Sequence, residues 1–294
     1  MTKQGVYWPV VTEKVLHFSL GLLERISPGL VGRLACTVFY TPLRRTNSVF
    51  RELKMREEVR PVRGKRIITY LAGKGPPVVF IHGWEMGAAH YEPLMSAMID
   101  AGFSVVSCDL PAHGKSGGLS SDIVEIGDVI LDLSRRYGPF VGAVGHSYGA
   151  AALARVVGAI ENDLKLMVLF ACPVTYGSMV GLFSSILGLG KKGRQRFVER
   201  IHARYFAMRF DRDLDFRRIL NATKTPLLIV HDADDRVVPI QDSMALSAAL
   251  SNATPLTTKG LGHQRLLRDA GVIERVVATF QQKFQNDDLS QIVQ

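Results

Sequence analysis

Apolar runs that end in turn residues alternate with longer stretches of helical period from residue 66 onward. The runs are rich in Val, Ile and Leu and are nearly continuous, as is typical of strands buried on both faces of a sheet. Their alternation with helices predicts a parallel α/β sheet. The predicted strands lie within residues 66–73, 78–84, 103–111, 139–147, 164–174, 225–235 and 253–260. The predicted helices cover about 88–101, 121–137, 148–160, 241–251 and 265–284.

Two regions depart from this alternation. Residues 175–224 have a helical period and no strand pattern, and such an insertion between two strands is most simply a lid over the edge of a sheet. The N-terminal stretch has apolar residues at spacings of three and four and is broken at Pro28, which predicts two short helices. The predicted organisation is an amphipathic helical arm over 1–50, a core over 51–174 and 225–294, and a helical lid over 175–224.

Charge changes this picture because it is unevenly distributed along the 294 residues, whose formal net charge is +9. Residues 1–66 carry 13 basic and 5 acidic side chains, and residues 175–224 carry 11 and 4, whereas the remainder carries 12 and 18. The predicted core is therefore mildly acidic, and the arm and the lid are basic. Neither basic region resembles a nucleic-acid-binding module or interleaves its charges with stacking aromatic residues, so we predict no nucleic-acid partner.

The composition, with 47% hydrophobic and 21% charged residues, is that of an ordinary globular protein and excludes a disordered or collagen-like chain. Charged residues and Pro28 divide the apolar arm into runs shorter than the roughly 20 residues that span a bilayer, and no signal-peptide pattern occurs. An odd number of cysteines in apolar runs indicates buried free thiols in a reducing compartment, so we expect a cytoplasmic protein. These cysteines are Cys36, Cys108 and Cys172.

The strongest chemical signal is the pentapeptide Gly145-His146-Ser147-Tyr148-Gly149, between an apolar strand and a helix of small residues. A serine on such a sharp turn takes strained backbone angles, and flanking residues without bulk let the strand and helix pass closely. The turn exposes the hydroxyl at the carboxyl end of the strand, which is the arrangement of a nucleophile elbow. Ser147 is therefore the candidate nucleophile.

A serine hydroxyl needs a base, and the base needs a carboxylate that fixes its tautomer. Both partners are expected after the serine, in the order acid and then histidine. His263 follows the last predicted strand and is the candidate base. The strand over 225–235 ends in three acids, of which Asp235 is favoured while Asp232 and Asp234 remain alternatives.

From about Arg66 to Phe284 the chain resembles a serine hydrolase of the α/β-hydrolase superfamily. The motifs that carry the resemblance are His82-Gly83-Trp84, DLPAHGKS over 109–116, the GHSYG elbow, HDADDRVVP over 231–239, and GLGH over 260–263. It implies a mostly parallel central sheet with helices on both faces and a small helical lid. In the family the acid lies four residues after the histidine of the fourth motif, which selects Asp235, although Asp232 replaces the usual glycine.

The resemblance also implies that the backbone N–H groups of Trp84 and Tyr148 form the oxyanion hole. The expected activity is hydrolysis of a small carboxylic ester through an acyl-enzyme, without a cofactor. Thioester hydrolysis or acyl transfer by the same residues remains an alternative, and so does a ligand-binding protein without catalysis. His82, His113 and His146 match no zinc-ligand spacing, so we predict no metal site.

Two interpretations of each basic region remain open. The arm either packs on the core or lies on a membrane surface at the inner face, with Arg25, Arg33, Arg44 and Arg45 meeting anionic headgroups. The basic residues of the lid either attract an anionic substrate or form a solvated face. They include Lys191, Lys192, Arg194, Arg196, Arg200 and Arg204. Because the lid is compact, we expect a preference for short to medium acyl chains.

Overall fold

The computed structural model of the chain describes residues 10–43, 49–207 and 214–292. The chain divides into two compact units. The helical unit is made from the segments Met1–Thr41 and Thr175–Asp215, and the sheet unit from Pro42–Val174 and Phe216–Gln294. Arg44 and Arg45, assigned to the arm from the sequence, lie outside the described residues.

The sheet unit contains an eight-stranded sheet with the order β1-β2-β4-β3-β5-β6-β7-β8. Its strands are β1 (Arg56–Val62), β2 (Lys65–Gly73), β3 (Pro77–Ile81), β4 (Ser104–Asp109), β5 (Gly142–His146), β6 (Leu166–Phe170), β7 (Leu227–Asp232) and β8 (Ala253–Thr258). The β1–β2 and β2–β4 pairs are antiparallel, and the other pairs are parallel. The predicted mostly parallel α/β sheet is thereby confirmed.

Eleven α-helices occur within the described residues. They are α1 (Val10–Ile26), α2 (Pro28–Tyr40), α3 (Glu92–Asp100), α4 (Ile123–Tyr137), α5 (Tyr148–Val156), α6 (Tyr176–Ile186), α7 (Lys191–Ala207), α8 (Phe216–Asn221), α9 (Ile240–Ala249), α10 (Gly262–Arg265) and α11 (Ala270–Ile292). Four of them, α1, α2, α6 and α7, lie in the helical unit.

The core of the sheet unit follows from the alternation of side chains along the strands. Val78 and Phe80 of β3 belong to a buried cluster that also holds Met95 of α3 and Phe280 of α11. Since successive strand residues point to opposite faces, Val79 between them faces the other side of the sheet and is also fully buried. The sheet is therefore covered on both faces, and its parallel strands place the residues that follow them at one edge.

A buried carboxylate holds together the loops at this edge. Asp109, the last residue of β4, accepts hydrogen bonds from the Tyr70 hydroxyl (2.9 Å), the Ala88 N–H (3.1 Å) and the Lys115 N–H (2.8 Å). His82 donates from Nδ1 to the Gly83 carbonyl (2.8 Å) and accepts at Nε2 from the Leu110 N–H (3.0 Å). The loops after β3 and β4 are thus fixed to each other by buried polar groups.

In the helical unit, α2 packs closely on α7. A Cβ atom at Gly32 would lie 2.7 Å from Cβ of Arg196, so only glycine permits this approach. The Phe39 ring meets those of Phe183 and Phe197 at centroid distances of 5.0 and 5.5 Å. Helix α1 joins the same unit, since the His17 ring and the Ile186 carbonyl are 2.9 Å apart.

The structure differs from the sequence-based expectations in several details. Strand β1 was not expected, and the last long helix begins at Ala270, after the short turn over 262–268. Helix α8 lies in the sheet unit rather than with the inserted helices. Cys108 and Cys172 are fully buried, whereas Cys36 is only partly buried. No helix in the described part of the chain has the length and apolar character needed to cross a bilayer.

Candidate active site

Ser147 is the single residue between the end of β5 and the start of α5. Its backbone angles, φ 52° and ψ −116°, lie in a region that non-glycine residues rarely adopt. The Ser147 N–H donates to the Phe170 carbonyl (2.8 Å) and its carbonyl accepts from the Ala151 N–H (3.0 Å). The strained conformation is therefore held from both sides, as expected where strain is maintained at a functional position.

The two glycines of the pentapeptide make this turn possible. A Cβ atom at Gly145 would lie 2.7 Å from the Ala150 Cα, on the helix that follows. A Cβ atom at Gly149 would lie 2.4 Å from the carbonyl oxygens of Ile81 and His82. Any larger residue at either position would push α5 away from the sheet, and Ser147 with it.

His263 and Asp235 lie in contact, although 28 residues separate them in the sequence. The Nδ1 atom of His263 is 2.7 Å from Oδ2 of Asp235, whose side chain is fully buried. Because an ionised carboxylate only accepts hydrogen bonds, Nδ1 carries the hydrogen and Nε2 of His263 is left as the basic nitrogen.

Asp235 is stabilised as an anion by further donors. His231 Nε2 lies 3.2 Å from the same oxygen, Oδ2, while the N–H groups of Val237 and Val238 donate to Oδ1 (2.7 and 3.0 Å). Burial by itself would raise the pKa of Asp235, but the hydrogen bonds from His231, His263 and Val237 outweigh it and lower that pKa below its ordinary value. The carboxylate is therefore charged throughout the neutral range.

The two alternative acids have other surroundings. Asp232 accepts from the Thr258 hydroxyl (2.7 Å) and the Leu261 N–H (3.0 Å), and so fixes the loop that leads to His263. These bonds lower the pKa of Asp232 despite its burial. Asp234 is exposed. Of the three acids, only Asp235 forms a hydrogen bond with the His263 side chain.

His146, the residue before Ser147, contacts the backbone of His263 directly. Its Nε2 is 2.8 Å from the backbone carbonyl of His263, and the two ring centroids are 4.5 Å apart. A carbonyl oxygen only accepts, so Nε2 of His146 is the donor. Complete burial lowers the pKa of His146 well below its ordinary value, which keeps the ring neutral.

The residue next to Ser147 thus contacts the residue that carries the candidate base. Among the hydrogen bonds of the described residues, none joins the Ser147 hydroxyl to His263. Ser147 is partly exposed, and the His263 side chain is 12% exposed. Both groups are accordingly within reach of a molecule that approaches this edge of the sheet.

Trp84 and Tyr148, the two predicted oxyanion donors, lie side by side. Their ring centroids are 5.1 Å apart, and Tyr148 is the first residue of α5. Within the described ranges, no residue accepts a hydrogen bond from the Trp84 N–H. The two side chains are therefore neighbours next to the turn that carries Ser147, and the role of their N–H groups stays a prediction.

Two contributors were not identified as such from the sequence. His231 was seen only as a motif residue, although its position four residues before Asp235 is the signal that could have revealed the contact. His146 was considered only as a discarded metal ligand, and its bond to His263 has no local sequence signal. Across the described residues, no group of three or more His, Cys, Asp or Glu side chains is arranged to hold a metal ion.

Comparison with known proteins agrees with this architecture. The profile of the alpha/beta hydrolase family matches residues 78–275. The AB hydrolase superfamily protein YisY of Bacillus subtilis (strain 168) is 23% identical over 71% of this chain and 92% of its own. The bifunctional esterase/perhydrolase DCH of Acinetobacter calcoaceticus is 25% identical over 70% and 91%, respectively.

Among solved structures, the esterase Pf2001 of Pyrococcus furiosus is similar to this chain. The similarity covers 82% of this chain and 98% of the esterase, with a TM-score of 0.62 and 19% sequence identity. At this identity the similarity shows the fold.

Proposed function

The chain belongs to the alpha/beta hydrolase family, and we propose that it is a serine hydrolase that cleaves carboxylic esters through an acyl-enzyme. The observation that carries the proposal is the 2.7 Å contact between His263 Nδ1 and Asp235 Oδ2. It leaves Nε2 of His263 free to take a proton at the edge of the sheet where Ser147 lies. The esterase names of two similar proteins support the choice of ester substrates.

In the proposed acylation step, Ser147 Oγ attacks the ester carbonyl while Nε2 of His263 accepts the hydroxyl proton. The carbonyl oxygen becomes negatively charged in the tetrahedral intermediate. As the intermediate collapses, the C–O bond to the alcohol breaks and His263 returns its proton to the leaving oxygen. Asp235 stabilises the positive imidazolium between these two transfers, and its low pKa keeps it charged.

Backbone N–H groups of Trp84 and Tyr148 are the proposed donors to the negative oxygen. In enzymes where one such donor was removed, the rate fell by roughly 100- to 1,000-fold. Because these donors belong to the backbone, the proposal predicts activity in side-chain variants of Trp84, provided that the loop keeps its position.

Deacylation repeats the same chemistry with water. His263 Nε2 takes a proton from a water molecule as its oxygen attacks the acyl carbon. The bond to Ser147 Oγ then breaks as His263 returns this proton to Oγ. The carboxylic acid product and the free serine are formed. No step requires a metal or an organic cofactor.

Labelling with a fluorophosphonate tests the proposal, because the attacking serine oxygen forms a bond to phosphorus and fluoride leaves. We expect stoichiometric labelling of the wild type and none of Ser147→Ala. Ser251→Ala, which changes an exposed serine, is the matched control and should label normally. Absence of labelling in the wild type, or equal labelling of Ser147→Ala, would reject catalysis and favour a ligand-binding protein.

A series of esters with matched thioesters, graded by acyl length, then tests the substrate class. We expect hydrolysis of esters of short to medium chain length to have the highest kcat/KM. Higher kcat/KM for the thioesters would favour the alternative thioesterase activity, and best activity on long-chain emulsions would contradict the proposed chain length.

A further inference from the structure

The helical unit exposes a row of large apolar side chains. Phe18, Leu22 and Ile26 are spaced four residues apart on α1, and Phe18 and Ile26 are 74% and 77% exposed. Leu30, Leu34 and Val38 continue the same spacing on α2, and all are exposed. A spacing of four residues places side chains on one face of a helix, so each helix presents one apolar stripe.

These side chains are not part of the core of the unit. The buried residues of α2 include Val31, Ala35 and Phe39, which lie on the face that packs on α7. Helix α2 therefore has two apolar faces, of which one packs on α7 and the other is exposed. Exposed apolar stripes of this kind usually mark an interaction site.

Basic residues accompany the apolar stripes. Arg25 lies beside Ile26, and Arg33 beside Leu34, and both arginines are exposed. On α7, the Arg204 guanidinium lies 4.4 Å from the centroid of the Tyr40 ring, which places a further positive charge next to α2. Among the described side chains of the helical unit, eight are Lys or Arg and three are Asp or Glu.

We propose that α1 and α2 bind in the plane of an anionic membrane surface, with the two apolar stripes in the acyl region and the arginines at the headgroups. The composition of the two helices favours a membrane as their binding partner. An apolar stripe flanked by arginine, on helices too short and too charged to span a bilayer, is the pattern of interfacial helices.

The length of the two helices fits this arrangement. Helix α1 has 17 residues and α2 has 13, and at a rise of about 1.5 Å per residue they extend roughly 26 and 20 Å. The exposed apolar side chains run along most of α2, and on α1 they occupy the C-terminal half of the helix. The helices would therefore lie along the surface, each with several side chains inserted.

Co-sedimentation of the full chain with vesicles tests the apolar contact. We expect binding to vesicles of phosphatidylcholine with phosphatidylglycerol and little binding to phosphatidylcholine alone. Phe18→Ser with Ile26→Ser should lower the partition coefficient by at least about tenfold, since burying one such side chain is worth a factor of ten or more. The matched control is Leu119→Ser with Met244→Ser, which removes two side chains exposed by 87% and 62% from the sheet unit.

Charge reversal tests the electrostatic contact separately. Arg25→Glu with Arg33→Glu should lower binding to anionic vesicles by at least about 30-fold, because each basic residue near such a surface contributes a factor of about five. Lys54→Glu with Lys74→Glu, which changes two exposed lysines of the sheet unit, should retain most of the binding. Added salt should weaken the wild type more than the arginine variant.

Three outcomes would overturn the proposal. The wild type does not bind anionic vesicles, or the apolar variant binds as well as its control, or binding is equal with and without phosphatidylglycerol. If a second copy of the chain covers the stripes instead, light scattering will show a dimer in vesicle-free solution that dissociates in the apolar variant. Hydrolysis of a water-soluble ester should be unchanged in all four double variants, so failure of the membrane proposal is distinguishable from loss of the active site.

Discussion

The imidazole of His146 donates a hydrogen bond to the backbone carbonyl of His263 across 2.8 Å. The residue next to the candidate nucleophile thereby holds the residue that carries the candidate base. This contact joins the β5–α5 turn to the segment after β8, and it involves neither the Ser147 hydroxyl nor the nitrogen atoms of the His263 ring. The relative position of Ser147 and His263 consequently depends on a buried side chain that takes no part in proton transfer.

Replacement of His146 tests this positioning. His146→Phe keeps a ring of similar size but removes the donor, so we expect kcat for ester hydrolysis to fall about 5- to 30-fold, the value of one or two kcal/mol. KM should change little, because the His146 side chain is fully buried. His146→Gln, which can still donate, should recover part of the loss, and equal kcat values for the two variants would show that the bond has no positioning role.

The three acids after β7 should behave differently on substitution. Asp235→Asn should lower kcat by about 10,000-fold, because the amide can hold the wrong tautomer of His263. Asp234→Asn should leave kcat within about twofold, since Asp234 is exposed. Asp232→Asn removes a charge that accepts from Thr258 and Leu261, and we expect about 1–3 kcal/mol lower unfolding free energy. Steady-state kinetics and urea denaturation of the three variants give the comparison, and a large kcat loss in Asp234→Asn would contradict the assignment.

Acidification should destabilise the protein through its buried neutral histidines. Burial lowers the pKa of His82 from 6.5 to about 3 and that of His146 well below 6.5. Below pH 6.5 the unfolded chain binds protons at these residues and the folded chain does not, so stability falls as the pH falls. The slope from each histidine reaches about 1.4 kcal/mol per pH unit well below pH 6.5, and it averages about 1 kcal/mol per pH unit between pH 7 and pH 5. Urea denaturation between pH 7 and pH 5 should show a slope smaller by this amount in His146→Gln, and equal slopes would refute the prediction.

Two glycines near α5 form a matched pair. Gly149→Ala places a Cβ atom 2.4 Å from two backbone oxygens that cannot move independently, so we expect a loss of about 3 kcal/mol or more in unfolding free energy. Gly158 has no heavy atom within 4 Å of the same position, and Gly158→Ala should be neutral or stabilising by up to about 1 kcal/mol. Similar unfolding free energies for the two variants would mean that α5 does not approach β3 so closely.

A second pair tests the packing of α2. Gly32→Ala would bring a Cβ atom to 2.7 Å from Cβ of Arg196, and we expect a destabilisation of about 1–3 kcal/mol. At Gly29 on the same helix there is open space, and Gly29→Ala should stabilise by up to about 1 kcal/mol through helix propensity. Thermal unfolding followed by circular dichroism distinguishes the pair, and a stabilised Gly32→Ala would contradict the contact with α7.

The sheet could be predicted because its central strands are short, continuous apolar runs with clear ends. Strand β1 was missed because it contains four charged residues and Pro61, and its side chains alternate between exposed and half-buried. That composition is typical of an edge strand, in which no run of buried apolar residues marks the strand in the sequence. The sequence does not separate the first turn after β8 from the last helix, because both have a helical period. In the structure the break lies at Asp269, whose backbone is extended (φ −75°, ψ 127°) and whose Oδ1 accepts from the Val272 N–H (3.0 Å).

The candidate site was predictable as far as it follows from strand ends and motif order. Ser147, Asp235 and His263 each follow a strand at the same edge of a parallel sheet, so their proximity follows from topology. The contacts of His146 with His263 and of His231 with Asp235 join residues through three-dimensional packing. The role of Asp232 was hidden for another reason: its partners, Thr258 and Leu261, lie on the neighbouring strand and loop. The roles of the three candidate residues remain predictions until the labelling and kinetic experiments are done.

The helical unit has a consequence for the order in which the chain can fold during synthesis. Cys36 and Phe197, which lie in contact, are 161 positions apart, so α2 leaves the ribosome long before α7 exists. During that interval Val31, Ala35 and Phe39 lack α7, on which their face of α2 packs, while the whole chain up to β6 is translated. An interrupted product that ends before residue 175 would therefore expose a hydrophobic helix permanently, and chaperones or proteases would have a means of recognising unfinished molecules.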